Sequence, residues 1–133
     1  MSDALAMLNS TRGRTGYAPD DLAAAIAVAQ DCAQTCTACA DACLSEPNVE
    51  ALLSCITLDL ACADICTATA RVLSRQTRFR GSVTEAQLEA CRVACAACAE
   101  ECAQHASMHD HCRICAETCR QCEQACLTLL SEG

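Results

Sequence analysis

The cysteines of this chain are spaced so that each group falls on one side of a helix. The sequence holds 16 cysteines among 133 residues. On an ideal helix each residue advances by about 100°, so positions i, i+4, i+7 and i+11 share one face. Cys32, Cys36, Cys39 and Cys43 follow this spacing, and four cysteines that begin at Cys91 repeat it. Thiolates are soft metal ligands, and the pattern therefore predicts metal binding along these faces.

The other cysteines extend the same pattern to two further segments. One of them carries Cys55, Cys62 and Cys66, with Asp59 in the slot where another cysteine would complete the series. Burying an acid there is costly unless it pairs with arginine or a metal, so Asp59 is a candidate weak ligand. The candidate thiol ligands are Cys32, Cys36, Cys39, Cys43, Cys55, Cys62, Cys66, Cys91, Cys95, Cys98, Cys102, Cys112, Cys115, Cys119, Cys122 and Cys126.

Three interpretations compete with metal binding by thiolates along the helices. Free cysteine packs as a small hydrophobe, which explains one or two cysteines per helix but not four aligned faces. Cross-helix disulfides remain open, although cysteines at i and i+4 have Cβ atoms about 5 to 6 Å apart, against roughly 3.8 Å in a disulfide. An iron–sulfur site is disfavoured because the ferredoxin run ends in Cys-Pro, and no proline directly follows a cysteine here.

Geometry and charge favour Cu(I) among the metals that thiolates bind. A Cys-x-x-x-Cys pair places its sulfurs roughly 4 to 5 Å apart, close to twice a metal–thiolate bond of about 2.3 Å. Zinc needs four ligands, which one helical face cannot supply and four faces supply only by sharing. Equal numbers of Cu(I) ions and thiolates are neutral, which suits a low-dielectric core. This ratio predicts bridging sulfurs and on the order of ten to twenty Cu(I) ions per chain.

Charge and composition narrow the partners and the compartment. The formal charge is −8 and all nine basic residues are arginine, so no basic stripe is available for nucleic acid. The first 17 residues show no charged stretch followed by an apolar run, which predicts a cytoplasmic protein. The longest uninterrupted apolar run, around residues 22–29, is too short to span a bilayer, and no membrane partner is expected. Reducing cytosol favours metal binding over disulfides.

Helix breakers divide the sequence into four long segments. Proline occurs only at positions 19 and 47, and glycine only at 13, 16, 81 and 133. Helices are predicted over about 19–44, 47–75, 82–105 and 109–130, with capping side chains in residues 45–48 and a capping box formed by Ser82 and Glu85. The prediction is an all-α, antiparallel up-down-up-down four-helix bundle over residues 19–133. Residues 1–18 form an N-terminal extension with a short helix around residues 4–8.

The two ends of this predicted bundle differ in chemistry. His105 continues the cysteine stripe beyond Cys102, and Met108, His109 and His111 follow in the same region. Imidazole and thioether both bind Cu(I), so these four side chains are candidate ligands at the end where copper enters and leaves. The opposite end is predicted to be an apolar plug of Leu22, Val28, Leu73, Leu88 and Leu130.

The repeated Cys-x-x-x-Cys motif resembles that of the bacterial copper storage proteins. The matching motifs are Cys32/Cys36, Cys39/Cys43, Cys62/Cys66, Cys91/Cys95, Cys98/Cys102, Cys115/Cys119 and Cys122/Cys126. The resemblance covers residues 19–130 and, with no export signal, is similar to the cytosolic branch. It implies a bundle filled with Cu(I), a homotetramer, and histidines at the mouth of the bundle.

The resulting hypothesis is storage of many Cu(I) ions by a protein that is not an enzyme. The alternative is a copper shuttle or chaperone, although shuttles usually expose one ion on a surface loop. A redox enzyme using Cys95 and Cys98 ranks last because no βαβ pattern accompanies that motif. The expected partners are copper ions and, beyond them, a copper chaperone or a copper-requiring client.

Overall fold

The structure is a computed structural model that describes residues 2–13 and 15–132. Its helices are α1 (Ala4–Ser10), α2 (Pro19–Leu44), α3 (Leu53–Ser74), α4 (Gly81–Ala103) and α5 (Asp110–Glu132). A 3-10 turn, Val49–Leu52, precedes α3. No strand occurs among these described residues.

The four long helices form a closed ring. Each of α2 to α5 packs against its neighbour in sequence, and α2 packs against α5 to complete the ring. Short connections between long helices produce antiparallel neighbours, so the chain runs up, down, up and down. The predicted four-helix bundle is therefore confirmed. The short α1 packs against α2, and the division into an extension and a bundle domain stays a prediction.

The helix starts agree only in part with the sequence. Pro19 opens α2, with Asp20 and Asp21 in its first turn, as predicted. The predicted capping box is wrong, because α4 already begins at Gly81 and no side chain caps it. Ser82 therefore lies inside the first turn, where its side chain is past the capping position.

The second predicted helix starts later than its proline indicated. Residues 47–48 form a turn, the 3-10 segment follows, and the α-helix begins only at Leu53. The predicted side-chain capping is also wrong here, because no side chain caps the 3-10 segment or α3. Ser45 instead donates its hydroxyl to the carbonyl of Ala42, 2.7 Å away, at the end of α2.

The core is built from sulfur, alanine and leucine. All 16 cysteines are at most 2% exposed. The end of the bundle away from the histidines is called the closed end. Leu22, Leu73 and Leu88 are buried there as predicted, whereas Val28 is only half-buried. Leu130 is likewise half-buried and packs against the core, while Leu129, which the sequence did not single out, takes the fully buried position. Leu129 lies three residues after Cys126 and so continues the cysteine face, from which the next residue is rotated by about 100°.

The N-terminal segment docks on the closed end of the bundle. The hydroxyl groups of Thr11 and Thr77 form a hydrogen bond of 3.0 Å. Tyr17 packs edge-on against Phe79 with ring centroids 5.6 Å apart. A Cβ at Gly13 would clash with the Thr77 Cα atom, so the chain can approach this closely only at glycine.

One described segment, Val49–Ser74, is long and apolar enough to cross a membrane when judged by length and composition alone. The prediction from uninterrupted apolar runs did not identify it. Core helices of soluble proteins pass the same test. The buried cysteines of this segment pack inside the bundle, so its apolar character gives only weak support for a membrane span.

Candidate metal centre

The bundle axis is lined by free thiols. All 16 cysteines are buried and none is paired in a disulfide. Each helix of the ring turns its cysteine face inward, as its spacing predicted. A short cysteine is small enough for four such faces to meet at one axis, where larger apolar side chains would hold the helices apart.

Sulfur atoms on different helices lie as close together as those on one helix. The Cys32/Cys36 pair has an Sγ–Sγ distance of 3.8 Å, slightly shorter than the predicted 4 to 5 Å. Across helices, Sγ of Cys36 lies 3.6 Å from that of Cys119, and the sulfurs of Cys55 and Cys102 are 3.3 Å apart. The ligand array is therefore a three-dimensional network and not a set of separate pairs along each helix.

Five of the groups of potential metal ligands overlap along the axis of the bundle. Within each group the ligand atoms all lie within 4.8 Å of one another. Consecutive groups share at least one residue, so each ligand belongs to a continuous path. From the histidine end to the closed end the groups are Cys39, Cys43, His111 and Cys112; Cys39, Asp59, Cys102 and Cys115; Cys36, Cys98, Cys115 and Cys119; Cys32, Cys36, Cys62 and Cys119; and Cys32, Cys66, Cys95 and Cys122.

These groups also bear on the choice of metal. The last group takes one sulfur from each of the four long helices, so the bundle supplies the shared four-sulfur sets that zinc would need. Charge separates the metals, since each zinc tetrathiolate is dianionic whereas equal numbers of Cu(I) and thiolate are neutral. No described arginine is buried to offset stacked dianions. A filled core therefore favours Cu(I).

Asp59 lies among the thiols, as its position in the stripe predicted. Its Oδ1 atom is 3.1 Å from Sγ of Cys98, 3.2 Å from Sγ of Cys115 and 3.5 Å from Sγ of Cys102. Its Oδ2 atom lies 3.8 Å from Sγ of Cys55. Burial raises the pKa of this carboxyl from 3.8 to about 8. Asp59 is therefore mostly protonated at neutral pH, and its role as a ligand stays a prediction.

Two thiols near the histidine end, those of Cys43 and Cys112, are held in their neutral form. Burial raises the pKa of Cys43 to about 11, and burial likewise raises the pKa of Cys112. A thiolate, not a thiol, is the metal ligand. A metal that binds Cys43 or Cys112 must therefore displace a proton from that thiol.

His111 connects the thiol array to the mouth of the bundle. Its Nδ1 atom lies 3.5 Å from Sγ of Cys39, 3.6 Å from Sγ of Cys112 and 4.0 Å from Sγ of Cys43. Its Nε2 atom lies 2.9 Å from a carboxylate oxygen of Glu46. The structure thus brings His111 together with three of the predicted sulfur ligands.

The other candidates at this end lie farther out. His109 Nδ1 is 3.0 Å from Glu46, and its ring stacks on that of His111. His105 pairs through Nε2 with Glu101 at 2.9 Å, and Met108 is 66% exposed. Roles for these side chains as copper ligands stay predictions.

Sequence reasoning missed Glu46. This carboxylate contacts two of the three histidines, yet it lies in the connection after α2, where no periodicity indicates which way a side chain points. The only available signal was its position in a connection at the same end of the bundle as the histidines.

Comparisons with known proteins agree with this geometry. The family model for copper storage proteins matches residues 18–131. The copper storage protein Ccsp from Streptomyces lividans, in a structure loaded with 10 copper equivalents, is 53% identical with a TM-score of 0.95, covering 98% of this chain and 99% of that one. A cytosolic copper storage protein from Streptomyces lividans, loaded with five coppers, is 60% identical with a TM-score of 0.83, covering 84% of this chain and 93% of that one.

A curated relative extends the similarity to another bacterium. The uncharacterized cysteine-rich protein YhjQ of Bacillus subtilis (strain 168) is 34% identical over 99 residues, which span 74% of this chain and 86% of that protein. The family match covers nearly the whole bundle, including every cysteine. The chain belongs to the copper storage protein family.

Proposed function

We propose that this protein stores many Cu(I) ions in the cytosol, bound by the 16 thiolates that line its core. The observation that carries the proposal is the overlap of the ligand groups from His111 to the closed end. A protein that holds one ion needs one group, whereas an unbroken series of shared sulfurs provides capacity. Because sulfurs can bridge two ions, such an array holds on the order of ten to twenty Cu(I) ions.

The geometry also supports a route for the ions. Copper enters between His111, Cys39, Cys43 and Cys112, which form the group nearest the mouth. Neighbouring sulfurs lie 3.3 to 4.0 Å apart, so an ion can exchange one ligand at a time and stay coordinated at each step. Each thiol that binds loses a proton, and the filled core remains close to neutral. Buried leucines block the opposite end.

The test is an anaerobic titration of reduced, metal-free protein with Cu(I), read by metal analysis and by competition with a Cu(I) chelator. Storage predicts on the order of ten to twenty bound ions per chain. Saturation at one or two ions would refute it, as would a metal-free chain whose thiols are cross-linked under reducing conditions.

Burial separates storage from the shuttle alternative. A shuttle needs a ligand that a partner can reach, whereas every thiol here is at most 2% exposed. Transfer of the loaded copper to an excess of chelator should therefore be slow and occur in several phases. Rapid and complete loss in a single phase would favour the shuttle.

The outer surface supports the homotetramer that the resemblance implies. Val93 of α4 is 51% exposed and lines an apolar groove with Leu58 and Ile65 of α3. Leu53 and Leu60 of α3 are also exposed, at 56% and 49%. A second copy of the chain is the proposed occupant, since large exposed apolar patches mark association surfaces. Light scattering should show that Val93→Arg dissociates the assembly while Leu127→Arg on α5 does not. Equal masses for both variants would contradict the proposal.

A further inference from the structure

One carboxylate oxygen joins the two inner histidines of the mouth. Oε2 of Glu46 lies 3.0 Å from Nδ1 of His109 and 2.9 Å from Nε2 of His111. The two rings stack with centroids 5.3 Å apart and an interplanar angle of 19°. Glu46 thus contacts a different ring nitrogen on each histidine, although the rings lie almost parallel.

This arrangement determines where each neutral imidazole carries its proton. An ionised carboxylate only accepts hydrogen bonds, so the nitrogen that faces it must be the N–H group. In a neutral imidazole the other nitrogen then carries the lone pair. His111 therefore presents its lone pair at Nδ1, and His109 presents its lone pair at Nε2.

Both lone pairs are suited to a soft cation. Nδ1 of His111 lies within 4.0 Å of three sulfurs, those of Cys39, Cys43 and Cys112. Nε2 of His109 is buried and finds no hydrogen-bond partner within the described part of the chain. A buried acceptor without a partner carries a free-energy cost. A cation that binds this nitrogen would relieve that cost.

We propose that Glu46 is a positioning residue that fixes opposite tautomers of His109 and His111, so that both present an unprotonated nitrogen to incoming Cu(I). This inference rests on the proposed copper storage function, because it concerns the first ions to reach the thiols. Carboxylates that accept the N–H of a metal-binding imidazole orient the ring and raise its basicity. Here one carboxylate orients two rings at once and thereby affects the affinity of the mouth for Cu(I).

The first test measures tautomers directly and needs no copper. Nitrogen-15 NMR of the metal-free protein should show His109 protonated at Nδ1 and His111 at Nε2. In Glu46→Ala, His109 should shift to the Nε2-protonated form that free histidine favours, while Glu46→Gln should retain the original form because its amide oxygen still accepts. Glu101→Ala is the matched control, since Glu101 pairs with His105 instead. Unchanged His109 tautomers in Glu46→Ala would overturn the proposal.

The second test measures the first equivalent of Cu(I) by chelator competition, with circular dichroism to verify that each variant folds. Loss of an outer partner of a ligand typically lowers metal affinity 10- to 100-fold, so Glu46→Ala should weaken the first site by about tenfold or more. Glu46→Gln should restore most of that affinity, and Glu100→Ala, an exposed change on α4, should match the wild type. Failure of glutamine to restore it, or wild-type affinity in Glu46→Ala, would contradict the assignment.

Total capacity distinguishes this inference from the storage proposal. Glu46→Ala leaves all 16 thiols in place, so the number of Cu(I) ions it binds at saturation should equal that of the wild type. Wild-type protein that saturates at one or two ions would refute storage, whatever the tautomers are. Full capacity with no effect of Glu46→Ala on tautomers or first affinity would refute only the role of Glu46.

Discussion

Replacing Asp59 by asparagine should stabilise the metal-free protein at neutral pH. Burial raises the pKa of Asp59 from 3.8 to about 8, and its side chain is 0% exposed. Between these pH values the unfolded chain has released the proton that the folded chain keeps. The folded state then binds more protons, so the free energy of unfolding falls as pH rises.

The size of the effect follows from the two pKa values. Each pH unit in this window lowers the free energy of unfolding by about 1.4 kcal/mol. The loss therefore reaches about 4 kcal/mol at pH 7 and levels off above about pH 8. Asparagine has nearly the same shape and does not titrate, so Asp59→Asn should exceed the wild type by about 4 kcal/mol at pH 7 and by little near pH 4.

Urea unfolding of reduced, metal-free protein between pH 4 and 7.5 measures this difference. Both proteins carry the same thiols, so subtracting the two curves leaves the contribution of Asp59 together with its coupling to Cys55 and Cys115. Asp64→Asn, an exposed change on the same helix, should follow the wild type at every pH. Parallel curves for wild type and Asp59→Asn would show that the carboxyl is not held in its protonated form.

Three further changes test the packing and the ligand network. A Cβ at Gly13 would clash with the backbone of the α3–α4 connection, whereas Gly16 has open space, so urea unfolding should show Gly13→Ala losing about 1 to 3 kcal/mol and Gly16→Ala losing none. Thr69→Val removes the hydroxyl that accepts from Gln87 at 2.8 Å and should cost about 1 kcal/mol in the same assay. Cys36 belongs to at least two overlapping groups, and metal analysis of Cys36→Ser should show a loss of about one to two Cu(I) ions per chain.

The inward faces of the helices could be predicted from sequence because helical periodicity is a local property. The spacing from Cys32 to Cys43 requires only that the segment be helical, and burial of every cysteine confirmed it. The cross-helix distances could not be predicted, since they depend on how far each helix is shifted along the axis. Cys55 and Cys102 are 47 residues apart in sequence, yet they form the 3.3 Å contact. Connections and packing set that register.

Helix ends and connections were the least predictable parts. Ser82 and Glu85 have the spacing of a capping box, but α4 begins one residue earlier at Gly81, so the motif lies within the helix. Glu46 lies in a connection without helical periodicity, and its contacts with His109 and His111 arise only when the α2–α3 connection meets the start of α5 at the mouth. Sequence patterns identify residues that repeat along an element, whereas residues that act from a connection need the assembled fold.

The cysteines form both the core of the bundle and its metal-binding site, and this double role restricts how the protein can bind metal. All 16 cysteines are buried in the core, so charge added by metal binding would be placed in the interior that holds the bundle together. Two-coordinate Cu(I) with bridging thiolates adds one positive charge for each proton displaced, which leaves the net charge of the core unchanged. A dication bound by four thiols displaces more protons than it replaces in charge. The neutrality of the filled core therefore explains how one short bundle can take up many ions and keep its fold.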